Sequence, residues 1–301
     1  MANRRIEQHL AKLAQVRAAG PDGAAAPLRQ ALDDRANLVV AKAAKVAVEL
    51  ELRELVPDLL AAFGRLFEEP LKRDPQCWGK NELARALRDL DYTEAEPYLR
   101  GAKHVQLEPV WNGRQDTAGA LRGVCLLALP ACTGLRRETL MRYLVDALTE
   151  DDPAVRGDAA RAIGAMGGDD SALVLRLKAR LGDKESAVTG QVFESLLSLE
   201  RADGIGFVQD FLEAAGGEIA EEAALAIGGS RMESGVEPLL AAFEVAVGEP
   251  YRHAILRALS ISRQDRAIAF LRDVASGGRA SDREGAQSAL ALFPNSTATL
   301  G

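Results

Sequence analysis

Small and aliphatic residues recur along this chain at helical spacing. The segment Val155 to Ile163 aligns without gaps on Val188 to Leu196, Ile219 to Ile227, Tyr251 to Leu259 and Asp282 to Leu290. Its fifth position reads Ala159, Val192, Ala223, Ile255 and Ala286. Its eighth reads Ala162, Ser195, Ala226, Ala258 and Ala289, and its ninth Ile163, Leu196, Ile227, Leu259 and Leu290. Positions one, five, eight and nine share one face of a helix, so each segment predicts a helix with a stripe turned toward a neighbour. Successive ninth positions lie 33, 31, 32 and 31 residues apart, a period that belongs to repeat architectures. A second apolar segment follows each motif, at Ala172 to Leu181, Gly206 to Ala214, Val236 to Phe243 and Ala267 to Val274, with short Gly- or Asp-bearing breaks between. One repeat is therefore expected to be a helical hairpin.

The boundaries carry matching signals. Asp151-Asp152-Pro153 offers an N-cap followed by proline at the first helical position, and Gly164, Gly167 and Gly168 stand where that helix is expected to stop. Gly228 and Gly229 close the equivalent helix two repeats on. The register continues toward the N-terminus through Leu121 to Leu129, Gly79 to Leu87 and Val39 to Ala47, at longer spacings of 34, 42 and 40 residues. Residues 1–20 are expected to form a capping helix over the first hairpin, and residues 294–301 a flexible tail.

The run Asp152-Pro-Ala-Val-Arg-Gly-Asp-Ala-Ala-Arg-Ala-Ile-Gly164 resembles the first helix of a HEAT repeat, of the short variety found in phycobilisome-lyase-like proteins. The likeness runs from about Leu38 to Phe293. Arg156, Arg252 and Arg283 match the family's basic position, whereas Thr189 and Ala220 do not. The resemblance implies an all-α fold: one right-handed α-solenoid of about seven or eight stacked HEAT-like hairpins over residues 1–301. It implies no activity, because such solenoids serve many unrelated tasks.

Composition agrees with helix, since Ala and Leu dominate an apolar share of 48% and aromatics make up 5%. The formal net charge of -7 works against nucleic acid and anionic membrane surfaces. Ten acidic residues stand against only Arg201 and Arg231 between Arg201 and Pro250, usually the mark of a solvated face. Cys77, Cys125 and Cys132 show no metal-type spacing and fit a reducing compartment. No apolar run reaches the length of a membrane span, and the first residues carry no export signal, so a cytoplasmic protein is expected.

Candidate chemistry collects where the repeat has taken in extra residues, between Leu87 and Leu129. Insertions of this kind map to loops on one face of a solenoid. With Trp78 and Lys80 just before it, this stretch supplies Arg100, His104, Gln106, Glu108, Trp111, Arg114 and Asp116, and an inter-repeat insertion is expected at 100–115. Pro109 and the Asn112-Gly113 pair predict an ordered loop or short extended piece. One reading makes it a recognition patch, with Trp111 giving contact area and Lys80, Arg100, Gln106 and Arg114 giving hydrogen bonds. The other makes it a structural plug between differently angled repeats.

Catalytic signals are sparse. His104 and Glu108 are four residues apart, yet Pro109 follows and His9 and His253 are distant, so no metal or other cofactor is expected. Cys77 stands near a helix start, where a thiolate would be favoured, but no partner for nucleophilic chemistry is apparent. No strand precedes a glycine-rich phosphate loop. The function expected is a non-enzymatic scaffold or adaptor binding a protein whose identity the sequence does not name. Two alternatives rest on resemblance. A HEAT-like DNA glycosylase would use Trp111, Arg114 and Asp116 but lacks a basic stripe, and a bilin lyase-like chromophore handler rests on repeat type alone.

Overall fold

The computed structural model describes residues 2–213 and 215–292, and falls into two compact units, Met1–Ala162 and Ile163–Gly301. The expected tail at 294–301, together with Phe293, lies outside the described residues. The first unit holds α1 (Ala2–Ala19), α2 (Ala25–Leu32), α3 (Asn37–Glu49), α4 (Val56–Leu66), α5 (Pro70–Arg73), α6 (Trp78–Asp89) and α7 (Ala95–Ala102). There follow β1 (Leu107–Val110), β2 (Gly113–Asp116), α8 (Gly119–Ala128) and α9 (Arg137–Ala147), and α10 (Pro153–Met166) carries the boundary between the units. The second unit continues through α11 (Asp169–Leu181), α12 (Ser186–Glu200), α13 (Ala202–Val208), α14 (Glu218–Gly229), α15 (Val236–Val245), α16 (Glu249–Ser262), α17 (Asp265–Gly277) and α18 (Ala280–Ala291). The fold is all-α and HEAT-like, and β1 and β2 form one antiparallel hairpin.

The repeated stripe is the core. The fifth-position residues Ala43, Leu83, Cys125, Ala159, Val192, Ala223, Ile255 and Ala286 are all fully buried. So are the ninth-position residues from Ala47 to Leu259, while Leu290 in α18 is half-buried. Within the first unit α1, α3, α6 and α8 touch in succession. Within the second, α12, α14, α16 and α18 do the same. The second helices line up beside them, α4 on α6, α7 on α8, α11 on α12 and α15 on α16. Each buried Ile or Leu of the stripe contributes about 1.5–3 kcal/mol. Small residues set the spacing: a Cβ on Gly228 would lie 2.3 Å from the carbonyl oxygen of Ala258, so α14 and α16 meet backbone to backbone there.

Aspartates stand at or just before the start of several first helices, where they close the entering turn. Asp152 Oδ1 accepts from Ala154 N at 2.9 Å, as the Asp-Asp-Pro signal predicts, and Asp34, Asp116 and Asp183 each accept from the backbone N–H two residues on. Gly164 does not end α10. It lies inside the helix against Ser195, and the chain turns at Gly167 and Gly168, whose φ values are 67° and 84°. The second helix expected at Gly206 to Ala214 is instead α13, which begins at Ala202 because Arg201, at φ 57°, breaks the chain and restarts it at once. A short 3₁₀ turn, Gln209–Phe211, follows it, and Ala214 is outside the described residues.

Candidate interaction site

The extra residues between α7 and α8 form the β-hairpin. Leu107 pairs with Asp116, Glu108 with Gln115, Pro109 with Arg114 and Val110 with Gly113. Gly113, at φ 135°, is the residue of the reversal with positive φ, and neither Trp111 nor Asn112 joins it there. The expected extended piece is thus a regular two-stranded ribbon.

One face of the ribbon is turned inward by a buried polar network. Lys80 and Asp74 are wholly buried, with Nζ 3.1 Å from Asp74 Oδ2. Lys80 Nζ also donates to Gln106 Oε1 at 2.9 Å and to the Leu66 carbonyl at 3.3 Å, so its three protons are matched. Asp74 further accepts from Asn37 Nδ2 and from the backbone N–H groups of Gly79 and Lys80, which starts α6. Gln106 Nε2 donates to the Asp74 carbonyl at 2.8 Å and to Glu108 Oε1 at 2.7 Å. Glu108 Oε1 also accepts from Thr117 Oγ1 and from Gln76 N–H. That last contact helps hold Gln76 and Cys77, two successive non-glycine residues in the left-handed region (φ 60° and 55°). Such backbone costs about 1–3 kcal/mol per residue and persists where its surroundings over-determine it.

At the far strand, Asp116 Oδ1 accepts from Gln106 N and Ala118 N, each at 3.0 Å, and its Oδ2 pairs with Arg122. Arg122 also donates to the His104 carbonyl at 3.0 Å and lies 3.4 Å from Glu150. These charges follow from their surroundings. Burial works to raise Glu108, but hydrogen bonds from Gln106, Gln76 and Thr117 outweigh it and hold the carboxyl below its ordinary value. Burial likewise opposes ionisation of Asp116, and two backbone N–H groups and Arg122 again prevail. His104 is pushed down by burial, against the hydrogen bond with Gln106 Oε1, and so is neutral at pH 7. Its ring meets Phe67 edge-on, at 4.9 Å between centroids.

The predicted site residues therefore separate by face. Lys80, Gln106 and Glu108 come together behind the ribbon, where their hydrogen bonds hold it, and Asp116 ties the base of the far strand to the Gln106 and Ala118 N–H groups and to Arg122. Arg100 lies at the surface with its guanidinium 4.2 Å from the Phe67 ring, and His104 is half-buried beneath. Trp111 is 100% exposed at the ribbon's tip, and Arg114 is exposed beside it. Val105, Leu107 and Val110 are also exposed. Trp78, at the start of α6, is 47% exposed.

Sequence reasoning missed Asp74, Thr117, Arg122 and Phe67. The signal for two of the network's cations was present in the repeat register. Lys80 and Arg122 occupy the second motif position, as do Arg156 and Arg252. Arg156 donates to the carbonyls of Glu150 and Asp151, and Arg252 to those of Phe243 and Ala246. This position ties the preceding connection to the first helix in each of the four repeats.

The Cys77 thiol is buried and pushed up to about 11 by desolvation, against the nearby Lys80 charge, so it is protonated at pH 7. Among the described residues no group of three or more His, Cys, Asp and Glu side chains is arranged to hold a metal. No helix among them is long and apolar enough to cross a membrane.

No family model and no curated protein matches the chain. Among solved structures it is similar to human deoxyhypusine hydroxylase in complex with glycerol, at 18% identity over 94% of this chain and 88% of that one, with a TM-score of 0.30. It is also similar to two engineered proteins. One is 17% identical over 95% and 87% of the two chains with a TM-score of 0.36, the other 15% identical over 89% and 96% with a TM-score of 0.24.

Proposed function

We propose that this chain is a non-enzymatic adaptor of the short, phycobilisome-lyase-like HEAT kind, and that it binds a protein partner through the outer face of the 107–116 ribbon. The observation that carries this reading is Trp111: its ring is wholly exposed, on a ribbon fixed from behind by buried hydrogen bonds. A tryptophan of this kind offers roughly 150–250 Å² of contact area on a backbone that is already held in place. Leu107, opposite to Glu108 in the strand alternation, adds exposed apolar surface, and Arg100 and Arg114 stand at hand for hydrogen bonds. The geometry favours this over a glycosylase reading, which needs a free carboxylate beside Trp111, because Asp116 already accepts three hydrogen bonds. Three free thiols support a cytoplasmic setting.

The test is affinity purification with tagged wild-type protein and with Trp111→Ala/Arg100→Ala. The reading expects a specific protein with the wild type and its loss from the variant, with circular dichroism and melting temperature kept. Equal recovery of that protein by the folded variant would defeat it.

A further inference from the structure

The ribbon has a second property besides its exposed tryptophan. Thr117 N–H donates to the Gln106 carbonyl at 3.0 Å, which makes 106 and 117 a hydrogen-bonded pair. In an antiparallel ladder bonded and non-bonded pairs alternate, so 108 and 115 exchange bonds while 107 with 116 and 109 with 114 do not. The backbone N–H and C=O groups of those intervening residues therefore point away from the ribbon, to its two outer edges. On β1 the outward residues are Leu107 and Pro109, and proline supplies no N–H, which is how natural sheets blunt an edge. On β2 they are Arg114 and Asp116, both with an N–H. Among the described residues no further strand pairs with β2. Arg114 and Gln115 are exposed.

Charge selects what fits there. Glu108 and Asp116 are engaged in hydrogen bonds, so the exposed charges of α7, its two caps and the ribbon are Arg100, Lys103 and Arg114 against Glu94 and Glu96, and Arg114 is the one on β2 itself. In a strand added to β2, the residue opposite Arg114 would have its Cβ about 5.5 Å or less from that of Arg114, where a carboxylate pairs well. We infer that the free edge of β2 takes up an extended, acidic segment of the partner protein as a third strand, bonded to the backbone of Arg114 and Asp116, with Trp111 covering its apolar side chains. The inference rests on the adaptor reading and names the chemistry of the partner. Main-chain bonds supply affinity in such strand addition, and alternate side chains supply selectivity.

The probe is an end-blocked Val-Glu-Val-Glu-Val-Glu peptide added to the full chain, with amide hydrogen exchange read residue by residue. Saturating peptide should slow exchange at the Arg114 and Asp116 amides at least tenfold. The Val-Lys counterpart, and the acidic peptide N-methylated at alternate residues, should leave both amides unchanged. Arg114→Gln should weaken the acidic peptide several-fold, and Arg114→Pro, which removes an outward N–H without touching the β1 ladder, should abolish its protection of Asp116. Three results would overturn the inference: no protection by the acidic peptide, equal protection by the lysine peptide, or protection already present without peptide and deepening with protein concentration, which would give the edge to a second copy of the chain. If one of these is seen while Trp111→Ala still loses the purified partner, the strand-addition idea alone has failed. If Trp111→Ala keeps that partner, the adaptor reading has failed with it.

Discussion

The connection before α16 and the connection before α6 do the same job with different means. Before α16, Arg252 alone spans the gap. It donates to the carbonyls of Phe243 and Ala246, stacks 3.8 Å from the Phe243 ring and makes a two-pronged pair with Asp282 at 2.8 and 3.0 Å. Before α6 the same motif position holds Lys80, a compact cation, and its Leu66 carbonyl and Asp74 contacts are joined by Gln106 from the inserted ribbon. Arg252 completes its joint with no added element, whereas at Lys80 the ammonium takes Gln106 of the insertion as its third partner, and Arg122, next in the register, takes Asp116. The inner face of the insertion therefore belongs to the repeat's own bonding scheme, and its outer face has no counterpart elsewhere among the described residues.

The largest expected effect breaks the denser joint. Lys80→Ala leaves the Asp74 carboxylate buried without its cation and is expected to cost about 3–5 kcal/mol in denaturant unfolding. A cost below about 1 kcal/mol would mean that the pair is not the anchor described here. Gln106→Ala is expected next, at about 1–3 kcal/mol, because it strips a bond from Lys80 and leaves the ribbon tied through Glu108 and Asp116 only. Its signature is faster amide exchange at Thr117 and Gln115, with the α16 joint unmoved.

Acid should loosen the two joints unequally. His104 is held below its ordinary 6.5 in the folded chain, so the unfolded chain takes up its proton first and stability declines as pH falls below about 6.5. Glu108 and Asp116 are held below their ordinary values of 4.5 and 3.8, so the stability they contribute is present above those values and is lost as pH falls through their lower folded ones. The α16 joint contains Asp282, also held down, chiefly by its hydrogen bond to Arg252. The direct contacts of Arg252 are the Asp282 carboxylate, two carbonyl oxygens and the Phe243 ring. Protection of the amides around the ribbon, taken after correction for the intrinsic slowing of exchange with acid, should therefore fall as pH drops below about 6.5, while the α16 joint keeps its protection until the carboxylate range. A parallel fall in both would remove the distinction.

The smallest expected effect lies outside. Trp111→Ala and Arg114→Ala should each change stability by less than about 0.5 kcal/mol, since neither side chain is buried. A larger loss would place Trp111 in the fold and not at a contact surface.

Most of the fold was legible in the sequence because the stripe positions must be small or aliphatic for helices to stack, and that requirement leaves a period. Val39 to Ala47, the least regular copy, is as fully buried at its stripe as the later ones. Helix ends were less legible: Gly164 is a contact with Ser195 and not a stop, and Arg201 turns the chain without a glycine. At the site, the residues divide into those bonded inward and those left exposed. Lys80 lies in the register shared with Arg156 and Arg252, so its inward role was readable. Gln106 and Glu108 were not, because their partners Asp74, Gln76 and Thr117 come from outside the segment that drew attention. Alternation along β1 explains why Glu108 bonds inward while Leu107 and Pro109 are exposed, but the strand itself was invisible until its partner was known.

The account stands most directly on a titration of the purified partner against wild-type chain and Trp111→Ala, with melting temperatures taken on the same samples. It predicts matching melting temperatures and an affinity for the variant at least tenfold weaker. Equal affinity at equal melting temperature would contradict it.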